Sequence, residues 1–106
     1  MAAFNDREVI EKIVLEYGKL VKNHMDIKNI YLYGSYAKGD YTLDSDIDVA
    51  VVSNEFTGDI LEDTLMLMKL RREIDYRIEP RPFHANNFNL TNPFAKEIIN
   101  NGILLI

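Results

Sequence analysis

Apolar residues fall at Val9, Ile10, Ile13, Val14, Tyr17, Leu20 and Val21, at the threes and fours that make one stripe on an α-helix. Asn5 and Glu8 have the form of a capping box, and Phe4 with Val9 that of a hydrophobic staple, so the helix is expected to start there and end near His24. Ile30 to Tyr33 is a β-branched and aromatic run that stops at Gly34-Ser35, a strand entering a tight turn. From Asp46 to Val52 the period is two, with Ile47, Val49 and Val51 on one face and Asp46, Asp48 and Ala50 on the other. Asp59 is placed to cap a second helix running to about Arg72, with Ile60, Leu61, Leu65, Met68 and Leu67 expected to face inward. Alternation returns from Ile74 to Glu79, which predicts a strand carrying Asp75, Arg77 and Glu79 on one face and ended by Pro80 and Pro82. Asn92-Pro93 opens a third helix, Gly102 closes it, and Ile103 to Ile106 reads as a last strand.

These elements predict an α/β fold: a small mixed β-sheet with helices packed on one face and the Asp46/Asp48 face left open. The 106 residues suit a single domain, residues 1–106, since a chain of this length buries roughly two thirds of its unfolded surface. With no cysteine, neither a disulfide framework nor a thiolate metal site is available. No basic segment precedes an apolar run at the start, and no stretch approaches the ~20 apolar residues of a membrane span. Cytoplasmic residence and no membrane association are therefore expected. A formal charge of −5 is the wrong sign for holding long nucleic acid through its phosphates. A nucleotide is different, because divalent cations on the carboxylates reverse the local field.

Asp46 and Asp48, at i and i+2, lie side by side on one strand face, where their charges repel and strand propensity is poor. An isolated Asp-x-Asp is ordinarily a solvated edge. Here the pair follows the Gly34-Ser35 turn after a ten-residue spacer, and a third aspartate, Asp75, sits in a later alternating segment. Two Mg²⁺ ions would offset the repulsion, since hard cations are often held by one or two carboxylates plus substrate phosphates.

The segments Gly34-Ser35-Tyr36-Ala37-Lys38-Gly39 and Ser45-Asp46-Ile47-Asp48-Val49 resemble the signature of the polymerase β-type nucleotidyltransferase superfamily, and are most similar to its minimal nucleotidyltransferases. With the flanking helices the resemblance covers nearly the whole chain. It implies the polymerase β-like nucleotidyltransferase fold and a nucleotide-binding turn in which Gly34 lets the backbone approach the triphosphate and Ser35 contacts the β- and γ-phosphates. It further implies Asp46 and Asp48 as ligands of two Mg²⁺ (or Mn²⁺) ions, and Asp75 as a ligand of the catalytic metal beside the attacking hydroxyl. Many such proteins are antitoxins that transfer AMP from ATP to a tyrosine of a HEPN-domain RNase toxin.

Other positions have ordinary explanations beside functional ones. Ser45 fits a phosphate contact or a turn cap, and Lys38 a phosphate counter-charge or an exposed loop lysine. Arg77 shares a predicted strand face with Asp75 and suits phosphate or an ion pair with Glu79 or Glu73. Asp40 and Asp44 read as Asx-turn residues. His24 and His84 lack metal-ligand spacing, and Met66 and Met68 read as packing. Three readings follow: a protein adenylyltransferase antitoxin acting on a HEPN toxin, a small-molecule nucleotidyltransferase subunit needing a partner chain, and a non-catalytic antitoxin that neutralises by binding. The open face and short chain favour a partner that completes the site.

Overall fold

In the computed structural model, residues 6–42 and 44–106 are described. Helix α1 (Asp6–Lys22), strand β1 (Asn29–Tyr33), one-turn helix α2 (Ser35–Lys38) and strand β2 (Ile47–Ser53) come first. Helix α3 (Ile60–Arg71), strand β3 (Ile78–His84), helix α4 (Pro93–Asn101) and strand β4 (Ile103–Leu104) follow. The capping box and staple at Phe4 and Asn5 lie outside the described residues, and Val9 is 37% exposed rather than inward. The sheet order is β3-β2-β1-β4. β1 runs antiparallel to β2 and β4, and β2 parallel to β3, so the sheet is mixed.

Alternation along the strands sorts the side chains into two layers. Ile10, Val14, Tyr17 and Val21 of α1 pack with Leu67 of α3 against Ile30, Leu32, Ile47, Val49, Val51 and Ile78. The Tyr17 hydroxyl donates to the Leu67 carbonyl at 2.7 Å, which ties α1 to α3; burial raises its pKa. On the opposite face Ala50, Val52, Phe83 and Ile98 form a smaller cluster with Tyr31, Tyr33 and Phe88 at its margin. α1 and α3 thus cover one face as expected, while α4 lies on the carboxylate face and leaves it open only in part. No described helix is long and apolar enough to cross a membrane.

Caps fix the helix starts. The Asn92 carboxamide accepts from the amides of Phe94 and Ala95, with Pro93 in the first turn. Asp59 accepts from the amides of Leu61 and Glu62. A Cβ on Gly102 would meet the Ile98 carbonyl at 2.6 Å and that of Leu32 at 3.1 Å, so the chain leaves α4 through a gap that only glycine fits.

Two elements differ from the sequence reading. α3 buries Asp63 and Leu67, while Ile60, Leu61 and Leu65 are 55%, 67% and 52% exposed. The cause is Asp63, whose carboxylate accepts from the Thr57 amide (3.1 Å), the Thr57 hydroxyl (3.0 Å) and the Gly58 amide (3.3 Å) and so sets the rotation of the helix. β3 starts at Ile78, not Ile74, and runs through Pro80 and Pro82. The Ile47 amide donates to the Arg77 carbonyl at 2.8 Å. Alternation from that bond turns the backbone of residues 79, 81 and 83 toward β2 and that of both prolines away from it. β3 is an edge strand, and a missing N–H on its outer side breaks no ladder bond.

Candidate active site

The site forms where β1 ends, β2 begins and β3 begins. Gly34 follows β1 with φ 75° and ψ −148°, a conformation open to glycine and strained for other residues. A Cβ there would collide with the Asp48 carboxylate. Glycine therefore does two things: it turns the chain into α2, and it makes room for an acidic side chain against the turn. Ser35 opens α2, its carbonyl accepts the amides of Gly39 (2.9 Å) and Asp40 (3.2 Å), and its hydroxyl has no hydrogen-bond partner among the described residues.

Asp48 lies opposite Tyr33 of β1 and opposite Glu79 of β3. Asp46 is exposed and stands immediately before β2. Burial, and after it the negative charges of Asp46 and Glu79, hold the Asp48 carboxyl above its ordinary pKa. The Tyr33 phenol is pushed up to about 12, by burial first and by Asp48 next. No basic side chain among the described residues is ion-paired with Asp46 or Asp48.

Asp75 stands outside the strands. It lies in the turn before β3, where its carboxylate accepts from the Arg77 amide (2.8 Å), Nε (3.1 Å) and Nη2 (2.9 Å). The Arg77 hydrogen bond holds the Asp75 carboxyl below its usual range. Arg77 thus pairs with Asp75, rather than with Glu79 or Glu73, and also interacts with Tyr36 of α2. The acidic group that register brings to Asp48 is Glu79. Its own contact is a long one, 3.8 Å from Arg71 Nη1.

Two more residues of this face escaped the sequence reading. Tyr33 packs edge-on against Phe94 of α4 at 5.8 Å. The Arg81 guanidinium sits 4.4 Å from the Phe94 ring centre, within cation–π range, and its buried Nε has no hydrogen-bond partner among the described residues. Arg81 and Glu79 share the alternation of Asp75, but only the strand register shows which of them face Asp48. A groove of about 240 Å³ runs from Gly34 to α4, lined by Tyr33, Lys38, Phe94, Glu97 and Asn101. Lys38 is exposed. Ser45 is spent on its turn, its hydroxyl accepting the Thr42 amide at 2.8 Å, and His84 accepts the Asn86 amide through Nδ1 at 3.1 Å.

Among the described residues no three His, Cys, Asp or Glu side chains are gathered in a way that could hold an ion. The donor set nonetheless fits Mg²⁺. It is all carboxylate oxygen, the charges of Asp46 and Glu79 already load Asp48, and hard cations bound with a nucleotide need only one or two carboxylates because phosphates and water complete the shell.

Residues 16–106 match the family model described as Polymerase beta, Nucleotidyltransferase. The chain is 33% identical over 98 residues to "Putative protein adenylyltransferase MJ0604" of Methanocaldococcus jannaschii, covering 90% of this chain and 96% of that one. Its fold resembles that of a nucleotidyltransferase named as putative from Sulfolobus solfataricus, with a TM-score of 0.67 at 19% identity over 92% of this chain and 80% of that one. It also resembles a crystal structure of a toxin–antitoxin with AMP-PNP, with a TM-score of 0.59 at 23% identity over 91% of this chain and 72% of that one. A glycine turn pressed against a paired-aspartate strand is thus set in a matching fold and sequence, and the chain belongs to the polymerase β-type nucleotidyltransferase family.

Proposed function

We propose that this nucleotidyltransferase is a cytoplasmic protein adenylyltransferase that moves AMP from ATP to a hydroxyl, most simply a tyrosine, of a HEPN-type toxin partner. The observation that carries the chemistry is the register that sets Asp48 opposite Glu79 and against Gly34. The family supports nucleotidyl transfer, and the M. jannaschii relative's name supports a protein acceptor. The toxin–antitoxin neighbour supports a toxin as the partner.

In this reading Asp46 and Asp48 would hold Mg²⁺, and Glu79, in register with Asp48, takes the part of the acceptor's base in place of Asp75. Mg²⁺ held there would neutralise the carboxylates and the triphosphate together and would polarise the α-phosphate. Gly34 and the Ser35 hydroxyl hold the phosphates, and the groove beside Tyr33 and Phe94 receives the nucleoside. The acceptor oxygen forms a bond to the α-phosphorus as the bond to the bridging oxygen breaks and pyrophosphate leaves. Glu79 takes the acceptor proton. α4 covers only part of this face, so an acceptor as large as a folded protein has access to it.

The test is incubation of the chain with α-labelled ATP, Mg²⁺ and the product of the adjacent gene. Label on a tyrosine of that product, with loss of its RNase activity, is the expected result. Label transferred only to an added small molecule would replace the acceptor class, and silencing without ATP would replace the enzymatic reading by neutralisation through binding.

A further inference from the structure

α3 carries two apolar stripes. Leu67, with Leu70 and Ile74 beside it, packs into the core. Leu61, Leu65, Met68 and Arg72 follow at intervals of four, three and four, and at ~100° per residue they lie on the side away from Leu67. Leu61 and Leu65 are 67% and 52% exposed, and Tyr76, in the turn beyond the helix, is 69% exposed. With Lys69, Arg71 and Arg72, the residues Leu65, Met68 and Tyr76 line a groove of about 340 Å³. Scattered exposed apolar residues are ordinary, but apolar residues aligned along one helix face suit an interface.

The charges along the helix indicate what covers it. Asp59 and Glu62 stand at its start and Lys69, Arg71 and Arg72 at its end. Arg71 is committed to the Ile78 carbonyl (2.8 Å) and to Glu79, whereas Glu62, Lys69 and Arg72 form no ion pair among the described residues. Glu62 and Lys69 are seven residues apart and so share one flank of the stripe. A uniformly acidic partner would repel Glu62, and a basic one would repel Lys69 and Arg72. The same helix turned end for end answers both, which is the self-complementarity of a twofold interface.

We propose that two copies of this chain pair through α3, antiparallel about an axis between Leu65 and Met68. Leu61, Leu65 and Met68 of the two copies interleave, with Tyr76 at the end of the stripe, and Glu62 of each faces Lys69 of the other. α3 lies on the sheet face away from Asp48 and Tyr33, so the pair leaves both active sites uncovered. One helix on one helix is a small contact, and the association is expected to be concentration-dependent.

Sedimentation equilibrium of the purified chain, from low micromolar to near millimolar, should show the mass rising from 12.3 kDa toward twice that value. Leu65→Glu should stay monomeric throughout, with an unchanged circular dichroism spectrum. Glu62→Lys and Lys69→Glu should each weaken pairing by at least about tenfold. An equimolar mixture of those two variants should pair as well as wild type, because each supplies the charge the other lost. A chain that is monomeric at every concentration, an undiminished Leu65→Glu dimer, or a mixture no better than its components would overturn the proposal. So would a monomer whose binding to the adjacent gene's product is lost on Leu65→Glu, which would assign the stripe to that partner.

Discussion

Asp48 is the residue on which fold and function pull in opposite directions. Its carboxyl is raised by burial and by neighbouring carboxylates, so the ionised form disfavours the folded state above that raised value, and the penalty is relieved as pH falls through it. Asp48→Asn should therefore raise the Tm of the metal-free protein at neutral pH while lowering AMP transfer by at least ~100-fold; differential scanning fluorimetry and single-turnover transfer read the two halves. Asp75 has the opposite sign. Held low by Arg77, it contributes stability above the ordinary carboxylate range near pH 4 and loses it as pH falls through its lowered value. Asp75→Asn should lower stability at pH 7 by about 1 kcal/mol or less, the scale of a pair whose arginine is exposed, with the difference shrinking in acid. Its transfer rate should stay within a few-fold of wild type, whereas Glu79→Gln should lose about 100-fold.

Among the elements, those with a clean period and a capping residue could be read from the chain alone. β1, β2, α4 and, apart from Val9, the stripe of α1 lie where the alternation, Asn92 and Gly102 put them. α3 was readable in extent, through Asp59, but not in rotation, because a helix apolar on two sides gives no single stripe. The deciding residue, Asp63, looks like any surface aspartate until the Thr57–Gly58 turn folds over it. β3 was misplaced for a related reason: prolines ordinarily stop a strand, and only the sheet order makes positions 80 and 82 tolerable. The same shift of the strand start leaves Asp75 in the turn before β3 and puts Glu79 in register with Asp48. The Gly34, Asp46 and Asp48 constellation needed no such context, since a local turn and a two-residue period suffice to bring it together. Asp63→Ala should destabilise by about 2 kcal/mol, since it leaves two amides without a partner. Leu65→Ser on the same helix should stay within ~0.5 kcal/mol in dilute solution. Urea unfolding measures both.

Taken as one molecule, the protein brings together a site whose parts are far apart in sequence, with α3 inserted between the β2 and β3 carboxylates. The cluster is complete only when the parallel β2–β3 pairing has formed, so nucleotide binding should report the native state alone. Calorimetry should find ATP binding strengthened at least ~10-fold by Mg²⁺ in wild type and hardly at all in Asp48→Asn. The outer margin of the sheet has a different bearing. An exposed β edge is a template for further strands, and a protein that must persist in a crowded compartment has to deny that template to its own copies. Pro80 and Pro82, each directing its N–H-less side outward, do this along most of β3 at no loss to the inner ladder. The double variant Pro80→Thr/Pro82→Thr should fold and keep its transfer activity, yet scatter light and bind thioflavin T on prolonged incubation at concentrations where wild type stays clear. Two residues that play no part in catalysis would then determine how long a stock of active enzyme survives.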